Sequence, residues 1–286
     1  AWDAESMSSQ SAMTAWCNGQ LLPVDAPAVS LLDHGVTVGD GVFETMKYAD
    51  GTAFALSRHI ARLQRSALGL GLEVPESREV AEAVAATILA NAEADLEYAR
   101  IRVTYTSGPG PLGSDRGPGP ATLAVTVQPG GPWPETTSVA LAPWPRNERS
   151  PLVGLKTTSY ADNAVALAWA KGLGCSEALL ANLVGDLCEG TGSNVFVVVD
   201  GRAMTPPVES GCLAGITREL VCEWGEVQQE SLPADVLDTC DEVFITSSTR
   251  DVHPVTRVGT RDLPVGPVTR GLRDVFDKRS REDVNP

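Results

Sequence analysis

Lys156 is followed 33 residues later by Glu189, which opens the run Glu189-Gly190-Thr191-Gly192-Ser193-Asn194-Val195-Phe196, and then by Leu213-Ala214-Gly215-Ile216-Thr217-Arg218. A lysine amine can condense with an aldehyde, and a fixed carboxylate can hold the proton of a ring nitrogen. A Gly-hydroxyl turn leading into a helix can cup a phosphate with backbone N–H groups at the positive end of the helix dipole. Each part is common by itself. Their order in one chain suggests a single ligand that carries an aldehyde, a basic ring nitrogen and a phosphate.

Pyridoxal 5'-phosphate (PLP) is such a ligand, and it withdraws electrons well only while its pyridine nitrogen stays protonated. The motifs from Gly39-Asp40-Gly41-Val42-Phe43-Glu44-Thr45 through Ser247-Ser248-Thr249 cover nearly the whole chain. With these, the sequence resembles the class IV (fold-type IV) PLP-dependent aminotransferases, the group of branched-chain aminotransferases, D-amino-acid aminotransferases and aminodeoxychorismate lyases. The resemblance implies a two-domain α+β or α/β fold, a homodimer, and PLP between the two domains of one subunit and loops of its partner.

Residue by residue, the resemblance makes Lys156 the catalytic Schiff-base lysine. Of the four lysines, Lys171 sits at a helix end, Lys278 in a charged tail and Lys47 after the Phe43-Glu44-Thr45 strand. Glu189 becomes the partner of the pyridine nitrogen, oriented by Asn194, and Tyr160 the bond to the cofactor's phenolic oxygen. Arg62, in His59-Ile60-Ala61-Arg62-Leu63, grips the phosphate, where a guanidinium fork suits better than an ammonium. Ile216, Thr217 and Ser248 complete the phosphate cup. Phe43, Arg102 and Thr249 are expected on the substrate side. Taken alone, each has an ordinary reading: a turn carboxylate, a core aromatic, a surface cation, a Ser/Thr loop.

The substrate side fits no subfamily throughout. The Arg-x-His carboxylate trap of D-amino-acid aminotransferases is replaced by Pro111-Leu112-Gly113-Ser114, and the Phe-Thr-Thr of the lyases by Phe43-Glu44-Thr45. The lyases' loop arginine is missing unless Arg116 substitutes for it. Arg102 matches a branched-chain strand arginine, yet Thr157-Thr158 stands where those enzymes have two glycines. The resulting reading is an aminotransferase moving an amino group between an amino acid or primary amine and a 2-keto acid through the Lys156 Schiff base. The alternative is an aminodeoxychorismate lyase releasing pyruvate to give 4-aminobenzoate. A non-catalytic binding module with this fold would be expected to have lost Lys156 or Glu189.

Composition bounds the partners. At 286 residues and 43% hydrophobic content the chain can form two domains with real cores. The net charge of −15 repels nucleic acid and anionic membranes. No apolar run reaches the roughly 20 residues of a membrane span, and no signal-peptide pattern opens the sequence, so the expected setting is cytoplasmic. Six scattered cysteines without a Cys-x-x-Cys pair, and three histidines, argue against a metal site.

The elements that must position these residues follow from pattern. Residues 1–14 read as an N-terminal extension, 15–127 as a small α/β domain, 128–136 as a Pro/Gly-rich linker and 137–286 as a larger cofactor-binding domain. Asn18-Gly19, Asp50-Gly51 and Asp200-Gly201 are hairpin signals. Ser57 is the expected N-cap of a helix carrying Ile60, Leu63, Ala67 and Leu70, and a second helix follows Pro75. Strands are expected at Arg100–Thr106, Thr122–Val127, Thr137–Ala142, Val195–Val199, Arg202–Thr205 and Glu242–Thr246, with helices at Asp162–Lys171 and Ile216–Trp224. The long Gly/Pro loop Ser107–Pro120 is of a kind that closes over sites.

Overall fold

All three expected hairpins turn on residue pairs with positive φ at both positions: Asn18 at 44° and Gly19 at 85°, Asp50 at 46° and Gly51 at 86°, Asp200 at 49° and Gly201 at 73°. This is the geometry whose twist matches paired strands, and Asn-Gly or Asp-Gly supplies it at least strain. The computed structural model describes residues 13–286. The expected extension therefore lies outside the described residues up to residue 12. Met13 is already buried in a core and Thr14 opens the first strand.

The chain forms two units. The first runs to Pro132 and takes in Leu155–Ser159 and Val284–Pro286. It contains β1 (Thr14–Cys17), β2 (Gln20–Pro23), α1 (His34–Thr37), β3 (Gly41–Ala49), β4 (Thr52–Ala53), α2 (Leu56–Gly69), α3 (Ser77–Ala90), β5 (Arg100–Thr106) and β6 (Thr122–Gln128). The strands make one antiparallel sheet in the order β2-β1-β6-β5-β3-β4. Val42 and Met46 of β3, Ile101 and Val103 of β5, and Val125 and Val127 of β6 share a core with Ile60, Leu63 and Ala67 of α2 and Val80, Val84 and Ile88 of α3.

The second unit, Trp133–Gly154 with Tyr160–Asp283, contains β7 (Thr137–Leu141), α4 (Ala161–Gly172), β8 (Glu177–Ala181), β9 (Leu187–Gly190), β10 (Asn194–Val199), β11 (Arg202–Thr205), α5 (Ile216–Trp224), β12 (Val227–Gln229), β13 (Glu242–Ser247), β14 (Asp251–Val258), β15 (Arg261–Asp262) and α6 (Pro267–Glu282). Its mixed sheet runs β12-β11-β10-β13-β14-β7-β8-β9, with β15 beside β14. Neighbouring residues go to different cores: Val139 and Leu179 pack with Val195, Val243 and Val255, whereas Ala140, Ala178 and Leu180 pack with Ala166 and Ala170 of α4. A sheet covered on both faces needs apolar residues at consecutive positions, which is why these strands read as continuous apolar runs.

Two sequence expectations change. Leu155–Ser159, assigned by sequence to the second domain, packs with the first unit because it adds to the edge of β3: Phe43 N–H donates to Lys156 O at 2.9 Å and Thr158 N–H to Gly41 O at 2.8 Å. Thr157 and Thr158 therefore act as strand residues, the first buried opposite Val42 and the second donating its hydroxyl to Gly39 O at 2.9 Å.

The N-cap of α2 is Ala55, in the left-handed region at φ 53°, not Ser57. The end of the helix is satisfied from far along the chain. Asn285 Oδ1 accepts the Ser57 N–H at 2.8 Å, its Nδ2 donates to Ser57 Oγ at 2.7 Å, and Val284 O accepts the Ala55 N–H at 2.7 Å. Because Asn285 supplies the oxygen a local Ser, Thr or Asp would ordinarily provide, Asn285→Ala is expected to lower stability by about 0.5–2 kcal/mol. Chemical denaturation measures it, and an unchanged midpoint would leave α2 without need of this cap.

Candidate functional site

The first unit gathers the cationic residues. β3 alternates: Val42, Glu44 and Met46 face the helices, and Phe43 and Thr45 face the other way. On that second side the Lys156 Nζ lies 4.3 Å from the Phe43 ring centroid and the Arg102 guanidinium carbon 3.9 Å from it. Two cations on one aromatic ring are attracted by its quadrupole while repelling each other. An anion brought near would be held by both charges. Lys156 is fixed at its backbone as well, its N–H donating to Ser66 Oγ of α2 at 3.1 Å.

Arg62 is on the buried face of α2. Its Nε donates to Glu44 Oε1 at 2.8 Å and its Nη2 to Glu44 Oε2 at 2.7 Å, while His59 Nδ1 donates to the same Oε2 at 2.6 Å. Burial by itself would raise the Glu44 carboxyl, but the Arg62 charge and fork overcome this and hold it well below the usual carboxylate range. Burial pushes the His59 imidazole down against the opposing pull of Glu44, so the ring stays neutral and donates.

Arg116, the arginine that could substitute for the lyases' loop arginine, is engaged within the first unit. It forms a two-pronged pair with Asp40, at 2.7 Å for each nitrogen, and donates to the carbonyls of Gly71 and Leu70 at 2.7 and 2.8 Å. Its hydrogen bonds hold the Asp40 carboxyl below its ordinary range. The loop expected to close over a site is pinned elsewhere as well, with Gly110 N–H on Leu32 O and the His34 ring nitrogen Nε2 against Pro111 O at 2.9 Å.

The second unit gathers the anionic and phosphate-type features. Glu189 Oε2 accepts the Leu213 N–H at 3.0 Å, and Oε1 lies 3.1 Å from Arg146 Nε. Arg146 is in turn aimed by Asn163 Oδ1, 3.3 Å from both of its terminal nitrogens, and Asn163 donates to Thr191 O at 2.6 Å. Sequence reasoning missed Arg146: it sits in an irregular stretch after β7 with no local motif, and its partner lies far along the chain. Asn194 donates to Leu213 O at 2.8 Å, so it and Glu189 hold the same residue at its carbonyl and its N–H. Glu177 accepts hydroxyls from Thr191 and from Ser193, bracing the turn between them.

Ile216 and Thr217 open α5 as buried residues, behind an N-cap, Gly215, that provides no side-chain oxygen. A Cβ at Gly215 would overlap Asn194 Oδ1, so only glycine fits this approach. The leading N–H groups of a helix capped this way suit an anion. Thr246, paired with Asn194 across β13 and β10, has a buried hydroxyl with no hydrogen-bond partner among the described residues.

Ser248 and Thr249 lie in the β13–β14 turn, which Arg250 holds. Its guanidinium stacks 3.8 Å from the Trp133 ring and donates to His253 Nδ1 at 3.2 Å. Burial, then the Arg250 charge, pushes His253 down to about 4, so its Nε2 carries the proton and donates to Pro134 O at 2.9 Å. Tyr160 is the partly buried residue before α4, its carbonyl accepting the Ala164 N–H.

Comparison with known proteins gives a consistent result. Residues 41–258 match the family described as Amino-transferase class IV. A provisionally named branched-chain-amino-acid aminotransferase of Methanocaldococcus jannaschii is 34% identical over 279 residues, 92% of this chain and 95% of that protein. A D-alanine aminotransferase of Staphylococcus epidermidis is 28% identical over 274 residues, 91% of this chain and 95% of that one. The crystal structure of the branched-chain aminotransferase of Thermoproteus uzoniensis with norvaline superposes with a TM-score of 0.86 at 30% identity, covering 93% of this chain and 94% of that one.

The Glu189–Arg146 pair can be tested without any ligand. Removing the cation alone leaves a largely buried carboxylate uncompensated, at a cost of roughly 3 kcal/mol, whereas removing both charges costs much less. Arg146→Met is therefore expected to lower the denaturation midpoint strongly, and adding Glu189→Gln to restore much of it. If the second substitution recovers nothing, the two side chains are not coupled.

Proposed function

The chain belongs to the class IV aminotransferases, and from that premise we propose that it uses PLP to move an amino group between an L-amino acid or simple primary amine and a 2-keto acid. The observation that carries this reading is Glu189, a carboxylate held beside Arg146 and the Leu213 N–H. A carboxylate set between a cation and an amide donor is the kind of anionic partner that a protonated ring nitrogen needs.

The residues fit the cofactor. Lys156 would hold its aldehyde, Glu189 its ring nitrogen and Tyr160 its phenolic oxygen; Arg62, the opening of α5 at Ile216 and Thr217, and Ser248 would hold its phosphate. The glycine at 215 and the orphaned Thr246 hydroxyl support a phosphate at the start of α5. When bound, PLP supplies the electron sink that makes the substrate α-proton acidic.

The chain's own residues do the rest. Lys156 Nζ would take the substrate α-proton as a general base and deliver it back as an acid. The Phe43 ring beneath Nζ keeps that amine in place, and the nearby Arg102 charge favours an anionic substrate group. Asn194 steadies Glu189 through Leu213, and Thr249 with its neighbouring amide receives the substrate carboxylate. Support for L-amino acids comes from the absence of an Arg-x-His at Pro111–Ser114 and from the engagement of Arg116 with Asp40. The resemblance also carries a homodimer.

The test gives the purified protein one amino donor and no keto acid, from a panel of L- and D-amino acids that includes the branched-chain ones. An L-donor is expected to convert the bound cofactor to its amine form, seen as loss of its long-wavelength absorbance. Borohydride treatment of the resting protein should label the peptide containing Lys156. A label on Lys47, or none, would remove Lys156 from its role. If no donor is active while aminodeoxychorismate yields pyruvate and 4-aminobenzoate, the lyase reading replaces this one.

A further inference from the structure

We propose that Glu44 and His59 are positioning residues for cofactor affinity: they fix the Arg62 guanidinium so that it meets the PLP phosphate in one orientation, and the inference rests on Arg62 having that phosphate role. The three residues meet at one carboxylate. Both Glu44 oxygens are occupied, one by Arg62 Nε and the other by Arg62 Nη2 and His59 Nδ1, at 2.6–2.8 Å, and all three residues are buried.

Stability does not account for this cluster. A buried ion pair contributes little net folding energy, because taking two charges from water costs about what their attraction returns, and an apolar trio of similar volume would hold α2 on β3 at least as well. What such a trio could not do is set the plane of a guanidinium. Two of the five N–H donors of Arg62 are spent on Glu44 in a two-pronged bond, which locks the last torsions of a side chain that otherwise loses considerable rotamer entropy on binding. His59 adds a third bond to the same carboxylate and keeps it from rotating.

The cluster is also continuous with the lysine. Arg62 and Ser66 lie four residues apart on the buried face of α2, and Ser66 Oγ accepts the Lys156 N–H at 3.1 Å. One helix face therefore sets both the proposed phosphate contact and the peptide that carries the reactive amine. Glu44 fixes the first of these from β3, while its neighbour Phe43 lies under the second.

Charge and orientation predict opposite signs. If Glu44 acted only as a negative charge near the phosphate, neutralising it would tighten PLP binding. If it acts by aiming Arg62, neutralising it loosens binding although the local charge becomes more favourable.

The experiment titrates PLP into apoprotein prepared from the holoenzyme and measures Kd for wild type, Glu44→Gln, Arg62→Ala and the double variant. Turnover at saturating PLP and thermal unfolding of the apoproteins are followed in parallel. Arg62→Ala is expected to raise Kd about tenfold or more, and Glu44→Gln about tenfold, each equivalent to the loss of one charge-assisted bond or its alignment. In the Arg62→Ala background Glu44→Gln should change Kd no further, and in each variant turnover at saturating PLP should fall less than PLP affinity, because a phosphate contact holds the cofactor without touching the reacting carbon. An unchanged Kd in Arg62→Ala would overturn the phosphate role itself and the inference with it. A normal loss in Arg62→Ala, combined with tighter or additive effects of Glu44→Gln, overturns only the positioning role.

If apo Glu44→Gln is unfolded by circular dichroism, His59→Gln provides the second test, since it leaves the Arg62 fork paired. A rise of about threefold in Kd that vanishes in the Arg62→Ala background supports the assignment, on the scale of one neutral hydrogen bond. Wild-type affinity in His59→Gln overturns it.

Discussion

Successive side chains of a strand must point to opposite faces, and in β3 this rule sends Glu44 one way and Phe43 the other. Much of the first unit's chemistry hangs on that constraint. On the Glu44 side a buried carboxylate demands cations and donors, so α2 presents Arg62 and His59. On the Phe43 side an aromatic face accepts Lys156 and Arg102. A slip of one residue in the β3–β5 register would exchange the faces, leaving a carboxylate beside the reactive amine and a phenyl ring beneath a buried guanidinium. Register is held by seven consecutive cross-strand partners, from Gly41 opposite Thr106 to Lys47 opposite Arg100.

The second unit solves a related problem with backbone. Glu189 follows Cys188 in β9 and precedes a Gly-Thr-Gly-Ser turn in which side chains at 190 and 192 are missing, while Thr191 and Ser193 are clamped by Glu177. The turn is therefore rigid without bulk. Leu213 N–H then reaches Glu189 and Asn194 reaches Leu213 O, so one backbone residue is held at both its amide and its carbonyl, between the carboxylate and the side-chain amide. Such indirect support costs no extra buried charge.

Much of this was legible in the sequence because it is local. Hairpin pairs with required positive φ, apolar periodicity and the Gly-hydroxyl turn each declare themselves within a few residues, and the helices and strands came out close to their expected bounds. The cap of α2 did not, because Ser57 is a good capping residue by type while the actual cap, Asn285, lies 228 residues away. Nor did the attachment of Lys156 to the first unit, since an edge segment of five residues has no periodicity of its own. Glu44 read as a subfamily marker because its neighbours in sequence are apolar or hydroxylic; its partners come from the next helix.

The same reason explains the arginines. Arg62 pairs with a carboxylate 18 residues away and Arg116 with one 76 residues away, so no window of sequence shows the engagement. Burial then separates what these pairs do. The Arg116–Asp40 pair is partly exposed, and such pairs contribute on the order of 0–1 kcal/mol, enough to bias a loop that its carbonyl contacts already hold. Glu44–Arg62 is buried, where breaking one partner costs several times more than the intact pair contributes. In a chain with 37 acidic against 22 basic side chains, Arg62 and Arg116 each share a fork with a carboxylate. An anion that met such an arginine would be read by the direction of its remaining donors more than by the count of charges.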